Sequence, residues 1–360
     1  MSQTAAAPAD PSGIEPFLEA HEAMLRGEAG VQAMLQRMNL AGIDLSERNL
    51  SRADFTGANL QGARLALTQL ERARFYGADL SHVDARAANL RYADLRGADL
   101  NGANLKLARL DGADLREAVL AAGATTERAQ LSGASLNGVD LSRIAAAGVD
   151  FSDTAMRRVR LTGANLKGAN LSGAILHDAD FKGAKLDGAR LEGAVLTGVR
   201  REDLPVDPAR LVGCVLDPSA EDLARAPLLR EMVAAVQTWI RTGGQGGAAP
   251  RFDEADLRPL AGELAGLQLT ALSAKGAIAI GVDFSDCELR GANFDDADLR
   301  EADFSRADLR GASFRRAKLS HASFRGADMR PLEMRSGGVR ITDLSEATKT
   351  NADFAGARTA

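Results

Sequence analysis

The side chains that most often carry chemistry are few in this chain and poorly spaced for it. His21, His82, His177 and His321 are scattered along the sequence, whereas a structural or catalytic metal site draws on ligands grouped within a few residues of one another. Cys214 and Cys287 match no histidine at such a spacing and are too few for a disulfide scaffold. Each lies two residues before a leucine, Leu216 or Leu289, where a small inward-facing residue fits. Carboxylates and glycines are abundant, but they recur at fixed five-residue places. Strings such as Gly183-Ala-Lys-Leu-Asp-Gly188 lack the Lys-Ser/Thr of a phosphate loop, and no dinucleotide fingerprint is present. The sequence therefore predicts no enzyme: no catalytic residue, no cofactor and no metal.

The element that places all these residues is a five-residue beat of Leu or Phe. It runs from Leu40 through Leu45, Leu50, Phe55 and onward to Leu120, slips by one residue across 121–130, and continues from Leu131 to Leu196 with a weaker tail to Leu216. A further block starts near Leu264 and is strong from Phe284 to Leu344, with a return at Phe354. A five-residue spacing walks around a 3.6-residue helix and so excludes a long amphipathic helix. Short strand pieces joined by corners remain. In Gly57-Ala58-Asn59-Leu60 the leucine and the alanine two before it point to one side of a strand. The Asn between them points outward, and the Gly-containing pair supplies a turn.

Such units, with Ala53-Asp54-Phe55, Ala164-Asn165-Leu166 and Ala302-Asp303-Phe304 as clear examples, carry the A(D/N)LXX motif, and the chain resembles the pentapeptide-repeat proteins over roughly 40–216 and 264–354. The resemblance implies an all-β solenoid, a right-handed quadrilateral parallel β-helix with twenty residues per coil, here in two blocks with short capping or linking α-helices. Residues twenty apart should stack, so Phe284, Phe304 and Phe324 form one column, with Phe294, Phe314 and, after Met334, Phe354 opposite. The bore is then filled. At a coil rise of roughly 4.8 Å, the first block gives about nine coils and a length on the order of 40 Å, the second about five coils and on the order of 23 Å. Ala85, Ala146, Met156, Arg201, Met329, Met334 and Lys349 depart from the beat residue and mark places where coils should be irregular or end.

The segments outside the beat divide the chain. Residues 1–12 are Ala/Pro-rich and read as disordered. Residues 13–39 read as a helical cap with Phe17, Leu18, Leu25, Val31, Met34, Leu35 and Met38 as its apolar stripe, covering the open first coil of a β-helix at 40–218. Residues 219–250 read as a helix over 219–241, entered through Ser219 or Asp217 and interrupted at Pro227, followed by a Gly-rich linker at 243–250. That helix either closes the first β-helix or serves as a docking or homodimer element, with Trp239, the single Trp, as its anchor. The second β-helix occupies 251–360.

Composition and charge narrow the class. The start has neither basic stretch nor apolar core, so no signal peptide is expected, and no apolar run reaches membrane-spanning length. A cytoplasmic location is expected, with leaderless export leaving the same signature. Residues 40–218 hold 23 acids and 23 bases. The resemblance also brings DNA-mimicking gyrase inhibitors or protectors into view, but mimicry of phosphates needs a dense negative field, which a neutral rod lacks. In the second block, 281–304 holds eight carboxylates against Arg290 and Arg300, while 305–344 holds nine bases against four acids. Arg290, Arg310 and Arg330 should form an outward ladder and Arg315 and Arg335 a second, with Arg325 and Arg340 nearby. A basic end of this kind suits a protein partner with an acidic surface; nucleic acid is disfavoured, since exposed aromatics do not interleave with these arginines. The function expected is a non-enzymatic protein–protein interaction scaffold or adaptor, which the resemblance links to accessory or effector-handling components of bacterial secretion systems.

Overall fold

The computed structural model describes residues 11–121, 128–243, 245–247, 251–334 and 337–359. It divides into two compact units, Met1–Asp217 and Pro218–Ala360, and none of its described helices is long and apolar enough to cross a membrane.

In both units the pentapeptide builds one side and one corner of a coil. Asn59 pairs in parallel with Asp79, Asp79 with Asp99, and Arg64 with Asp84, so a coil returns after twenty residues and four such pairings mark its four sides. Two backbone bonds hold each side. The beat residue donates to a carbonyl nineteen residues on, as Leu60 does to Asp79 at 2.7 Å, and the outward residue donates back, as Asp79 does to Ala58 at 3.0 Å. The Asp or Asn of the motif shapes the corner with its side chain. Its carboxyl or amide oxygen accepts the N–H two residues on, as in Asp54 with Thr56 at 3.0 Å and Asn59 with Gln61 at 3.0 Å. This side-chain turn fixes the corner, which explains why Asp and Asn dominate the place. The second corner residue is left-handed, with φ near +64° at Gly57 and +65° at Gly62, where glycine has no Cβ to clash.

The inward leucines, phenylalanines and alanines are buried in one continuous core per unit. Ala85, Ala146 and Met156 are buried in register with their neighbours, so the coils neither end nor loosen there. Alanine at the inward place thins the packing without disturbing the backbone bonds that define the coil. Around Arg201 the chain does depart, into 3-10 turns at Arg201–Asp203 and Pro208–Leu211.

The N-terminal helix α1, Pro11–Leu25, is shorter than the 13–39 expected, and the coil begins earlier. Met34 already pairs with Asp54 and Leu35 is an inward residue, so 31–38 is coil and the stripe drawn through it dissolves: Phe17, Val31 and Met34 are exposed. Ile14, Leu18 and His21 make the buried face of the cap. The Ala33 N–H donates to His21 Nδ1 at 3.0 Å and His21 Nε2 donates to the Ser51 carbonyl at 3.1 Å, while Arg48 reaches Glu15 at 2.6 Å and Glu22 at 3.0 Å. Most of the stretch expected to be disordered, 1–10, lies outside the described residues.

Helix α2, Ala220–Arg241, opens with a capping box in which Ser219 and Asp222 satisfy each other's backbone N–H. It runs unbroken through Pro227, which lies on the exposed face of the helix with Leu223 and Leu228. Its buried face belongs to the second unit. Leu229 and Val236 join the core of the second unit with Phe252, Leu257 and Leu260, and Met232, Val233 and Ile240 pack against them. The second β-helix therefore starts at Arg251, which pairs with Ser273, and its first return takes 22 residues because a 3-10 turn at Arg258–Leu260 adds two.

The phenylalanines of this unit form a herringbone. Phe284, Phe304 and Phe324 stack at 5.0 and 5.1 Å, Phe294 stacks on Phe314 at 5.3 Å, and the two columns meet edge to face at 5.5–5.6 Å. Phe354 does not extend the Phe294/Phe314 column, as the spacing suggested, but stacks on Phe324 at 4.8 Å. The reason is that the last coil returns after thirty residues: Ser313 pairs with Asp343 and Ser323 with Asp353. The ten extra residues leave the coil as a small hairpin of β1, Leu332–Glu333, and β2, Val339–Arg340.

Candidate functional site

Arg290, Arg310 and Arg330 do follow one another around the same corner, since each comes directly after an inward residue, Leu289, Leu309 or Met329. Two places earlier in each coil stand Glu288, Asp308 and Asp328, paired coil to coil. The result is a zipper of alternating sign. Arg290 binds Glu288 at 2.9 Å and leans to Asp308 at 3.6 Å; Arg310 binds Asp308 at 2.7 Å and leans to Asp328 at 3.9 Å; Arg330 binds Asp328 at 2.8 Å. The hydrogen bond from Arg330, reinforced by Arg358 at 3.1 Å, holds the Asp328 carboxyl down to about 2.

Charges segregated in sequence are thus interleaved in space. Arg306 reaches back one coil to Asp286 at 2.6 Å, Arg316 to Asp296 at 2.7 Å and Lys318 to Asp298 at 3.7 Å. The basic stretch is stapled to the acidic one because twenty residues of sequence are a single coil of distance. Arg325 pairs with Asp353 at 2.8 Å. The second ladder does not form as expected: the residue one coil beyond Arg315 is Ser345, and Arg335 lies outside the described residues. Arg315 has Asp343 at 3.9 Å.

The hairpin adds what the repeat alone could not. β1 and β2 fold back over the corner glycines of the arginine column, where Arg340 Nη1 donates to the Gly291 carbonyl at 3.4 Å. A Cβ at Gly311, whose φ is +67°, would stand 2.9 Å from Leu332 Cβ and 3.2 Å from the Arg340 carbonyl oxygen. Thr342 Oγ1 lies 2.9 Å from the Leu309 carbonyl and 3.0 Å from that of Met329, clipping the hairpin's base across the break in the stack. Between hairpin and column runs an open groove of about 400 Å³ lined by Arg310, Arg330, Pro331, Leu332 and Glu333, with Met334, Val339 and Ile341 exposed on the hairpin beside it. Replacing Gly311 by Ala is expected to cost about 1–2 kcal/mol for the left-handed backbone and to lift the hairpin. Faster amide exchange over 330–342 would show it; unchanged exchange there would contradict the contact.

Arg310 and Arg330 each bind their acid through Nε and Nη2. A guanidinium has five N–H donors, so among the described residues the Nη1 edge of each remains for a carboxylate from outside. Trp239 is half-buried, and the apolar stripe of α2 is already spent on the second core. Cys287 is buried, its Sγ donating to the Leu264 carbonyl at 2.9 Å, and burial pushes the thiol up to about 11; Cys214 Sγ donates likewise to Leu191 at 3.1 Å. Both serve as the small inward residues expected of them. Gly311, Leu332 and Thr342 went unnoticed in the sequence because the hairpin keeps the five-residue phase.

The family model for Pentapeptide repeats matches residues 32–65, 49–84, 86–121, 127–163, 160–198, 268–306 and 292–330. Among solved structures, the chain is similar to a trypsin-treated form of QnrB1, a plasmid-mediated fluoroquinolone resistance protein, with 20% identity over 55% of this chain and 97% of that one, at a TM-score of 0.34. It is also similar to HetL, a pentapeptide repeat protein involved in heterocyst differentiation regulation from Nostoc sp. strain PCC 7120, with 23% identity over 93% and 92% at 0.21. Rfr23 from Cyanothece 51142 gives 28% identity over 36% and 90% at 0.18. No curated protein matches the sequence.

Proposed function

Because the chain belongs to the pentapeptide-repeat family, whose proteins fold as right-handed quadrilateral β-helices with filled interiors, we propose that it works through its outer faces, as a non-enzymatic scaffold that docks a protein partner with an acidic surface on the second unit. The observation that carries this reading is the groove between hairpin and arginine column, with the outer edges of Arg310 and Arg330 on its floor and exposed Met334, Val339 and Ile341 beside it. Carboxylates entering the groove meet guanidiniums already oriented by Asp308 and Asp328, so little side-chain freedom is lost on binding. The apolar residues add the desolvated contact that charge alone does not supply. Arg290 in the same column and Arg340 on the hairpin steer approach, and Arg315 and Arg325, on neighbouring corners, add to the positive field. An accessory or effector-handling component of a bacterial secretion system is one setting for such a scaffold.

Capture from native lysate with the full chain, set beside an Arg310→Gln/Arg330→Gln variant, tests the reading. Partner recovery should fall at least tenfold in the variant while its Tm stays within a few degrees, because the part-buried Asp308 and Asp328 keep Arg290 and Arg358 as partners. Equal recovery would remove the groove from the account. Gyrase subunits as the captured protein would favour instead a DNA mimic acting on a topoisomerase, a role that the 23 acids against 23 bases of residues 40–218 do not support.

A further inference from the structure

The first unit carries a second surface of a different kind. Most corners place glycine or a charged residue in the left-handed position, but Leu67 at φ +60°, Tyr92 at +58° and Leu107 at +60° hold large side chains there. All three are also exposed, by 52%, 47% and 44%. Each side chain is thus strained in its backbone and unburied, a combination that neither folding nor solubility favours. They are not scattered. Leu67, Ala87 and Leu107 follow one another at twenty-residue intervals on one corner, and Tyr92 lies on the next corner of the same coils. Ala87 between two leucines makes an apolar notch.

The charges on this surface differ from those of the second unit. Arg91 and Arg109 form no ion pair with a described residue, in a protein where the arginines of the second unit's column all do. Arg91 donates to the Tyr92 hydroxyl at 3.3 Å, its guanidinium carbon lies 5.2 Å from the ring centre, and its Nε has no partner.

We infer that this corner is a docking surface for an acidic protein segment with an apolar anchor: an aliphatic side chain enters the notch between Leu67 and Leu107, and neighbouring carboxylates bind Arg91 and Arg109 beside Tyr92. Charge complementarity selects the acidic segment, since two guanidiniums without a carboxylate partner among the described residues, next to apolar surface, want a carboxylate and not more solvent. Nucleic acid fits less well, because Arg72 at 5.1 Å and Arg91 at 5.2 Å from the ring centre already occupy the Tyr92 π-system that a base would stack on.

The test uses the full chain and a fluorescein-labelled eight-residue peptide alternating Leu and Glu, with a Gln-for-Glu version and a twelve-residue oligo-dT as comparisons, read by fluorescence anisotropy. The Leu/Glu peptide should bind, the Gln version at least tenfold more weakly. Leu67→Gly/Leu107→Gly should weaken binding at least tenfold while holding or raising Tm, since glycine relieves the left-handed strain. Arg91→Gln/Arg109→Gln should weaken it similarly, and Arg310→Gln/Arg330→Gln should leave it unchanged, which separates this surface from the groove. Absence of binding, unaltered binding in both corner variants, or loss in the groove variant alone would overturn the proposal. Tighter binding of oligo-dT, lost in the same corner variants, would overturn it in favour of nucleic acid.

Discussion

Phe304→Ala is expected to cost about 3–5 kcal/mol, the range for removing a buried aromatic, and to loosen the second unit while leaving the first intact. Phe304 is the hub of the herringbone: it stacks on Phe284 and Phe324 and meets Phe294 and Phe314 edge to face. Its loss therefore opens a cavity to four rings at once, in a fold where each coil is held by its neighbours alone. Hydrogen exchange should show lost protection spreading from 284 to 324, with 35–196 unchanged. Equal loss in both units would contradict the independence of the two cores.

The cap of the first unit should be sensitive to acid through His21. Nδ1 accepts from the Ala33 N–H, so the neutral ring carries its proton on Nε2 and gives it to the Ser51 carbonyl. Protonating Nδ1 sets two donors against each other. Burial is the main reason that the folded-state pKa lies below the usual value near 6.5; the bond to Ser51 and the charge of Glu22 oppose it in part. The sign follows from linkage: a pKa lowered by folding gives stability that is complete above about 6.5 and declines as pH falls toward the folded value. Glu22, lowered chiefly by its hydrogen bond with Arg48, adds a second loss at lower pH, below the ordinary Glu range. His21→Ala should cost about 1–3 kcal/mol for the buried Ala33 N–H left without a partner, with less from the part-buried Ser51 carbonyl, and should abolish the upper transition. Amide exchange across 11–40 at pH 7.5 and 5.5 checks this; a cap indifferent to pH in the parent protein would contradict it.

The coils were legible in the sequence because a five-residue beat excludes a long helix and leaves short strand pieces joined by corners, and the resemblance carried by the A(D/N)LXX motif implies the four-sided coil. What escaped was whatever keeps the beat without keeping the coil. The hairpin is ten residues, two full pentapeptides, so Met334 and Val339 fall on the beat and look inward although both are exposed. That silent insertion moved Phe354 into the other column and put Ser345 where Arg335 was expected to follow Arg315. The break at 121–130, by contrast, adds six residues to a return, as Asn104 to Gln130 shows, and its one-residue slip was visible. Helix α2 was readable as a helix but not as belonging to the second unit, because its apolar stripe matches the end of any coil. The zipper of Arg310 and Asp308 was hidden for a related reason: charge counted along the chain ignores that each residue's nearest neighbours outside its own turn lie twenty places away. Leu67, Tyr92 and Leu107 did leave a signal, as large residues at a corner place that glycine usually fills.

The central claim, that the arginine groove of the second unit receives carboxylates, is tested most directly by a salt titration of binding to the captured partner, with the parent chain and Arg310→Gln/Arg330→Gln side by side. Screening reaches about 10 Å at 0.1 M salt and shortens as salt rises, so the parent's affinity should fall steadily from about 0.05 to about 0.5 M, and the variant should start at least tenfold weaker with a flatter slope. Parent and variant binding equally well, or parent binding indifferent to salt, would contradict the account.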